Sequence, residues 1–151
     1  AMRPPTSSGH DLAYDEVHDQ VVMVGGTLGT GAMRDTWVFD GSQWQLRAAA
    51  RQVPWSTIHL AWDHNRQRLT APLPSLAMDR MELWEWDGDD WSVRPTATGA
   101  RPLYVHQVAS TPRGLLLWSG GVSSSPLNTA NTFWPLPSLT WPCVSSAIAS
   151  S

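Results

Sequence analysis

Three histidines, His10, His59 and His106, recur at intervals of 49 and 47 residues, each at the head of a segment with strand character. An imidazole titrates near neutral pH, so such a set can move protons, ligate a metal or bond a carbonyl. The competing use is structural, each ring satisfying a buried loop carbonyl. One arginine precedes each histidine, at Arg3, Arg51 and Arg101, and Arg34 and Arg80 stand just before two further repeated segments. Planar guanidinium groups bind a carboxylate, a sulfate or an acidic peptide through paired N–H donors. The same arginines also have internal partners on offer in Asp35, Asp79 and Glu82 and in neighbouring tryptophans. The candidate ligand-binding set is therefore Arg3, His10, Arg34, Arg51, His59, Arg80, Arg101 and His106.

Other chemistry is sparse. On a strand, His59 and Asp63 share one face while His64 takes the other, so the three cannot hold one ion without a turn, and no metal site is expected. No G-x-S-x-G occurs, and the cluster GGTLGTG lacks the lysine and the helix of a phosphate loop. That cluster reads as the loop after a second strand. The lone Cys143 excludes an internal disulfide and a cysteine-based zinc site, and reads as a small apolar residue. No catalytic residue, metal or cofactor is expected.

The elements that would position the histidines and arginines come from an internal repeat. SGHDLAYDE, with Ala13, Tyr14 and Asp15, recurs as TIHLAWDHN, with Ala61, Trp62 and Asp63, and more weakly as YVHQVASTP. DTWVFDGSQW recurs as ELWEWDGDDW and NTFWPLPSLTW, placing Trp44, Trp91 and Trp141 at intervals of 47 and 50. VVMVGG recurs as LLLWSGG, whereas Pro72 and Leu73 replace the glycines in the second copy. Each unit reads as four short strands: HDLAYD, a turn over Glu16 to Asp19, QVVMV, DTWVFD, then a hairpin at Asp40-Gly41 and QWQLR. Asp87-Gly88 repeats the hairpin, and no amphipathic helical stripe of useful length survives the Pro and Gly interruptions. The predicted class is all-β, a single domain of three repeats over 3–49, 50–97 and 98–144 with a tail at 145–151.

Composition agrees with this pattern. The chain has 151 residues, 42% of them hydrophobic and 15% charged, and no apolar run approaches the length of a membrane helix. All ten positive charges are Arg, the net charge is -3 and no basic run exists, so neither nucleic acid nor a membrane is an expected partner. The N-terminus has no apolar signal region, which leaves the compartment open with the cytoplasm favoured over secretion. Ten Trp against two Phe and two Tyr need placing. At repeated positions, as with Trp37, Trp44, Trp84, Trp91 and Trp141, they supply rigid area between stacked sheets, with indole N–H groups in reach of loop carbonyls. Trp55, Trp86, Trp118 and Trp134 fall outside the repeat.

The order His, apolar strand, Gly-Gly, irregular loop, Asp-Thr-Trp, short turn and second Trp resembles the kelch repeat. It is clearest in GHDLAYDEVHDQVVMVGGTLGTGAMRDTWVFDGSQW, and the likeness extends over about 140 of the 151 residues. The resemblance implies β-propeller blades running from an inner first strand to an outer fourth, with the second-to-third and inter-blade loops on one face. It does not extend to the copper site of kelch-like sugar oxidases, because Tyr14 holds a strand position that Trp62 also fills and no cysteine–tyrosine pattern accompanies it. Propellers close with about 4 to 8 blades, so three blades make a half-propeller. Homodimerisation would complete a six-bladed ring with twofold symmetry; the other reading is a piece of a longer propeller. Gly114 to Ser151 contains no Asp, Glu, Lys or Arg, which suits burial against a partner. The expected function is a non-catalytic module presenting loops and an Arg- and His-lined channel mouth to a protein, a peptide or a small anionic ligand. The alternative is an enzyme of the sugar-active kelch-like type, epimerase, mutarotase or oxidase-like, with its site over the channel.

Overall fold

In the computed structural model, residues 2–49, 51–95, 105–112, 114–119, 132–135 and 144–145 are described. They form three open antiparallel sheets and no helix, as the alternation and turn residues predict. The first sheet contains β1 (Ser8–Asp15), β2 (Gln20–Leu28), β4 (Thr36–Phe39) and β5 (Trp44–Arg47) in that order, with the short β3 (Gly31–Ala32) folded back onto β2. The second runs β6 (Ala61–Asp63), β7 (Arg68–Pro74), β8 (Met81–Trp86) and β9 (Trp91–Pro95). The third runs β10 (Val105–Thr111), β11 (Gly114–Ser119), β12 (Thr132–Pro135) and β13 (Val144–Ser145).

Aspartates at repeated positions make the turns. Asp15 is buried and its carboxylate accepts from the amides of Val17 and His18, the His18 ring and the Gln20 side chain. Asp63 does the same for Asn65 and Arg66. The last turn residue, Asp19 or Gln67, takes φ of 51° or 54° and returns the chain. The Asp-Gly hairpins are four-residue loops, not two-residue turns: Asp40 accepts from the amides of Ser42 and Gln43, and Asp87 from those of Asp89 and Asp90. Such side-chain-to-backbone bonds mimic a backbone turn.

The glycine cluster is not a loop. β2 continues through Gly25 and Gly26 to Leu28, and β3 pairs back with Thr27↔Ala32 and Leu28↔Gly31. Its glycines serve close approach: the Gly26 amide donates to the Ser56 carbonyl at 2.6 Å, and a Cβ on Gly25, at φ +77°, would strike that same oxygen. In the second sheet, Pro72 and Leu73 lie inside β7 and the chain turns later, where the Ser75 amide donates to the Arg80 carbonyl at 2.9 Å.

Cross-strand register assigns the faces. On the first sheet, Ala13, Val22 and Val38 lie in one row and Asp11, Val24, Thr36 and Arg47 in the next. This face meets the second sheet's row Trp62, Leu69, Trp86, Trp91 and the row Ala71, Trp84, Val93. The core sits between them, with Val22, Val24 and Leu69 fully buried and Trp86 and Trp91 1% exposed. At about 25 cal/mol per Å2 of apolar area, burial of such indoles dominates the stacking energy. Polar bonds fix its register: Trp91 Nε1 donates to Thr36 Oγ1 at 2.8 Å, the Leu60 amide to Asp11 Oδ2 at 2.7 Å, and Gln20 Nε2 to the Gly88 carbonyl at 3.4 Å.

The opposite face of the first sheet carries the rows Leu12, Met23, Trp37, Leu46 and Tyr14, Val21, Phe39, Trp44. Met23 and Trp37 in the middle are buried, while Leu12, Tyr14 and Leu46 are 45%, 49% and 46% exposed. β1 lies near β6 and β7, and β6 near β10 and β11, so the three first strands are neighbours in chain order. Among the described residues no helix is long and apolar enough to cross a membrane.

Candidate functional site

The strand registers place the start of β1, the end of β2 and the start of β4 at one end of the first sheet, and the head of β6, Pro74 and Met81 at one end of the second. His10, third residue of β1, is exposed there, with its Nδ1 3.3 Å from Ser7 Oγ. His59 is half-buried just ahead of β6, held between Ile58 in the core and Leu60, which is bonded to Asp11. The two histidines are near the heads of their first strands but not at equivalent positions: with Tyr14 matched to Trp62, His59 stands where the first sheet has Asp11. His106 falls at the register irregularity between Val105 and Gln107, and its side chain, like all of Arg101, lies outside the described residues.

The arginines divide differently from the sequence pattern. Arg3 is exposed ahead of β1. The amide of Arg51 donates to Asp90 Oδ1 at 3.1 Å, in the β8–β9 loop, which lies at the opposite end of the second sheet from His59 and Arg80. One arginine per histidine in sequence is therefore not one beside each in space, because the linker after β5 passes that far loop before returning to β6. Arg80 is engaged with Asp79 at 3.3 Å and Glu82 at 2.8 Å, the internal pairing that competes with ligand binding. Asp79 is held below its usual carboxylate range by the Ser75 hydroxyl, with Arg80 assisting.

Among the described residues no three His, Cys, Asp or Glu side chains cluster. Asp63 is buried, and that burial pushes its carboxyl up against the opposing Asn65 amide. His64 is exposed and faces Glu16 at 3.9 Å.

Arg34 belongs to a different arrangement. It lines a cleft of about 210 Å3 with Asp35, Thr36, Leu46, Arg47, Ala48, Ala49 and Gln52. The walls are the β4 start, the β5 end and the linker that follows. Arg47 shares a face with Thr36, directly across the β4–β5 pair, and its Nε is buried without a hydrogen-bond partner. No carboxylate lies within ion-pair distance of Arg34 or Arg47 among the described residues, whereas Arg66, Arg80 and Arg94 each reach one. Sequence reading singled out Arg34 and passed over Arg47. The available signal was register: the residue closing the strand after the Asp-Gly loop faces the Thr that opens the strand before it.

No protein-family model matches the chain, and a search of curated proteins finds no match. Any functional reading therefore stands on the repeat, the faces and these side chains.

Proposed function

We propose that the chain forms three blades of a kelch-type β-propeller, that a second copy completes a six-bladed ring, and that the ring is a non-catalytic binding module. The end where the first strands begin, carrying His10 and His59, is its presenting surface for a protein, a peptide or a small anionic ligand. One observation carries this reading. The free face of the first sheet repeats, position for position, the face with which the second sheet covers the first. Tyr14 stands at the Trp62 position, Leu12 at that of Leu60, Phe39 at that of Trp86 and Trp44 at that of Trp91. Trp62 and Leu60 are 7% exposed where Tyr14 and Leu12 are 49% and 45% exposed. A face built to cover another sheet is thus left partly open to water, which favours association.

The test is the solution mass. Light scattering should give about 33 kDa, twice the 16.6 kDa chain, and Leu12→Glu or Leu46→Glu, both at exposed positions, should return the monomer mass. A wild-type monomer at micromolar concentration would sink the half-ring reading. A dimer indifferent to both changes would assign association to some other surface.

A further inference from the structure

The contact between the first two sheets shows what each side of such a seam contributes. The second sheet brings Trp86 and Trp91, with ring centroids 5.3 Å apart, and Trp91 Nε1 donates to Thr36 Oγ1 at 2.8 Å. The first sheet receives them on the Val22–Val38 row and on Thr36, which pairs with Val24. Both halves of this arrangement recur in the chain, on different sheets.

The covering half recurs on the open face of the first sheet. Phe39 and Trp44 stand in the places of Trp86 and Trp91, their centroids again 5.3 Å apart and their planes inclined by 44° against 51°. Trp44 is half-buried, and its indole N–H has no partner among the described residues, whereas that of Trp91 has Thr36. A donor already held in its working geometry loses little freedom when an acceptor arrives.

The receiving half recurs, by register, on the third sheet. Leu117 pairs with Trp134 as Val22 pairs with Val38, and Thr132 pairs with Ser119 as Thr36 pairs with Val24. The second sheet has no such set. Thr70 and Glu85 occupy its Val22 and Val38 places, and Leu83, whose side chain has no acceptor, occupies that of Thr36. Within one chain the two recurring halves are kept apart, because β6 of the second sheet adjoins both β1 and β10.

We infer that the occupant of the open first-sheet face is the third sheet of a second copy, and that Trp44 of each copy donates its indole N–H to the partner's Thr132. The inference rests on the half-ring reading and adds to it the partner's surface and one directional bond. Twofold symmetry makes the two seams identical, so each dimer carries the bond twice.

Mixed dimers test the pairing. Trp44→Phe keeps an aromatic ring and removes the donor, and Thr132→Val keeps the β-branched shape and removes the acceptor. By sedimentation equilibrium, each variant homodimer lacks two bonds and should dissociate about tenfold more readily than wild type, while Thr132→Ser should match wild type. A dimer of one Trp44→Phe chain and one Thr132→Val chain has one complete seam and one seam lacking donor and acceptor together. Having lost one bond and not two, it should be about threefold tighter than either variant homodimer, beyond the statistical factor for unlike pairing. Thr132→Ala repeats the comparison with a second side chain if the valine disturbs the third sheet. A mixed dimer of affinity intermediate between the two variants, or wild-type affinity in either variant, would overturn the pairing and leave the ring standing. A wild-type monomer at micromolar concentration would overturn ring and pairing together and give the open face to another occupant.

Discussion

Asp40 shows how a single carboxylate organises a loop. Its Oδ1 accepts from the Ser42 hydroxyl at 2.7 Å and from the amides of Ser42 and Gln43 at 2.9 Å, and Gln45 reaches Oδ2. These donors, the Ser42 hydroxyl foremost, lower its pKa to about 2 from 3.8. A carboxyl depressed on folding contributes stability that is complete above its unfolded value and disappears as pH falls through the folded one. Protection of the β4–β5 loop amides should therefore persist down to about pH 2 and fail below it. The Asp40 carboxyl resonance should titrate at that midpoint, and Ser42→Ala should move it upward. Asp63 has the opposite sign, since burial raises its pKa and its cost appears as pH rises through the carboxylate range. Both aspartates are visible in the sequence as repeated letters. Their different tasks are not, because capping depends on which amides the turn geometry aims at them.

Among the elements, the strands were legible and the exact reach of several was not. Alternating apolar residues between Asp, Gly and Pro clusters gave the four-strand units, but the Gly-Gly pair looked like a turn because glycine's usual role is positive φ. Here Gly25 and Gly26 have positive φ inside an extended β2, where the contact that requires it comes from residue 56, thirty positions away. Trp86, unplaced by the repeat, is in register with Phe39, and its 5.3 Å contact with Trp91 repeats that of Phe39 with Trp44. The match was hidden by the change of aromatic type. Indole hydrogen bonding also departed from expectation: Trp55 reaches the Pro74 carbonyl and Trp91 the Thr36 hydroxyl, but Trp37, Trp62, Trp84 and Trp86 have buried Nε1 atoms without partners. Those four contribute area alone. Trp91→Phe keeps most of the area and strands Thr36, so urea unfolding should show a loss of about 1–3 kcal/mol. The cleft was half legible, since Arg34 could be read from its place before a strand, whereas Arg47 requires knowing which residue crosses from Thr36.

At the scale of the molecule, the first sheet is held at separate heights to the second sheet and to the linker that leads into it. Gly25→Ala tests the linker contact, because the new methyl meets the Ser56 carbonyl and the backbone stays at φ +77°. The conformational cost alone is about 1–3 kcal/mol, and hydrogen exchange should speed up in both sheets together, not in β2 alone. Exchange confined to β2 would mean that the sheets are energetically separate. The Gly26–Ser56, Asp11–Leu60, Thr36–Trp91 and Gln20–Gly88 bonds also have a geometric consequence. Four directional links, spread over both ends of the strands, leave the sheets no axis about which to roll. The angle between the first two sheets is thereby fixed by directional bonds within residues 11–91, independently of the apolar packing between them.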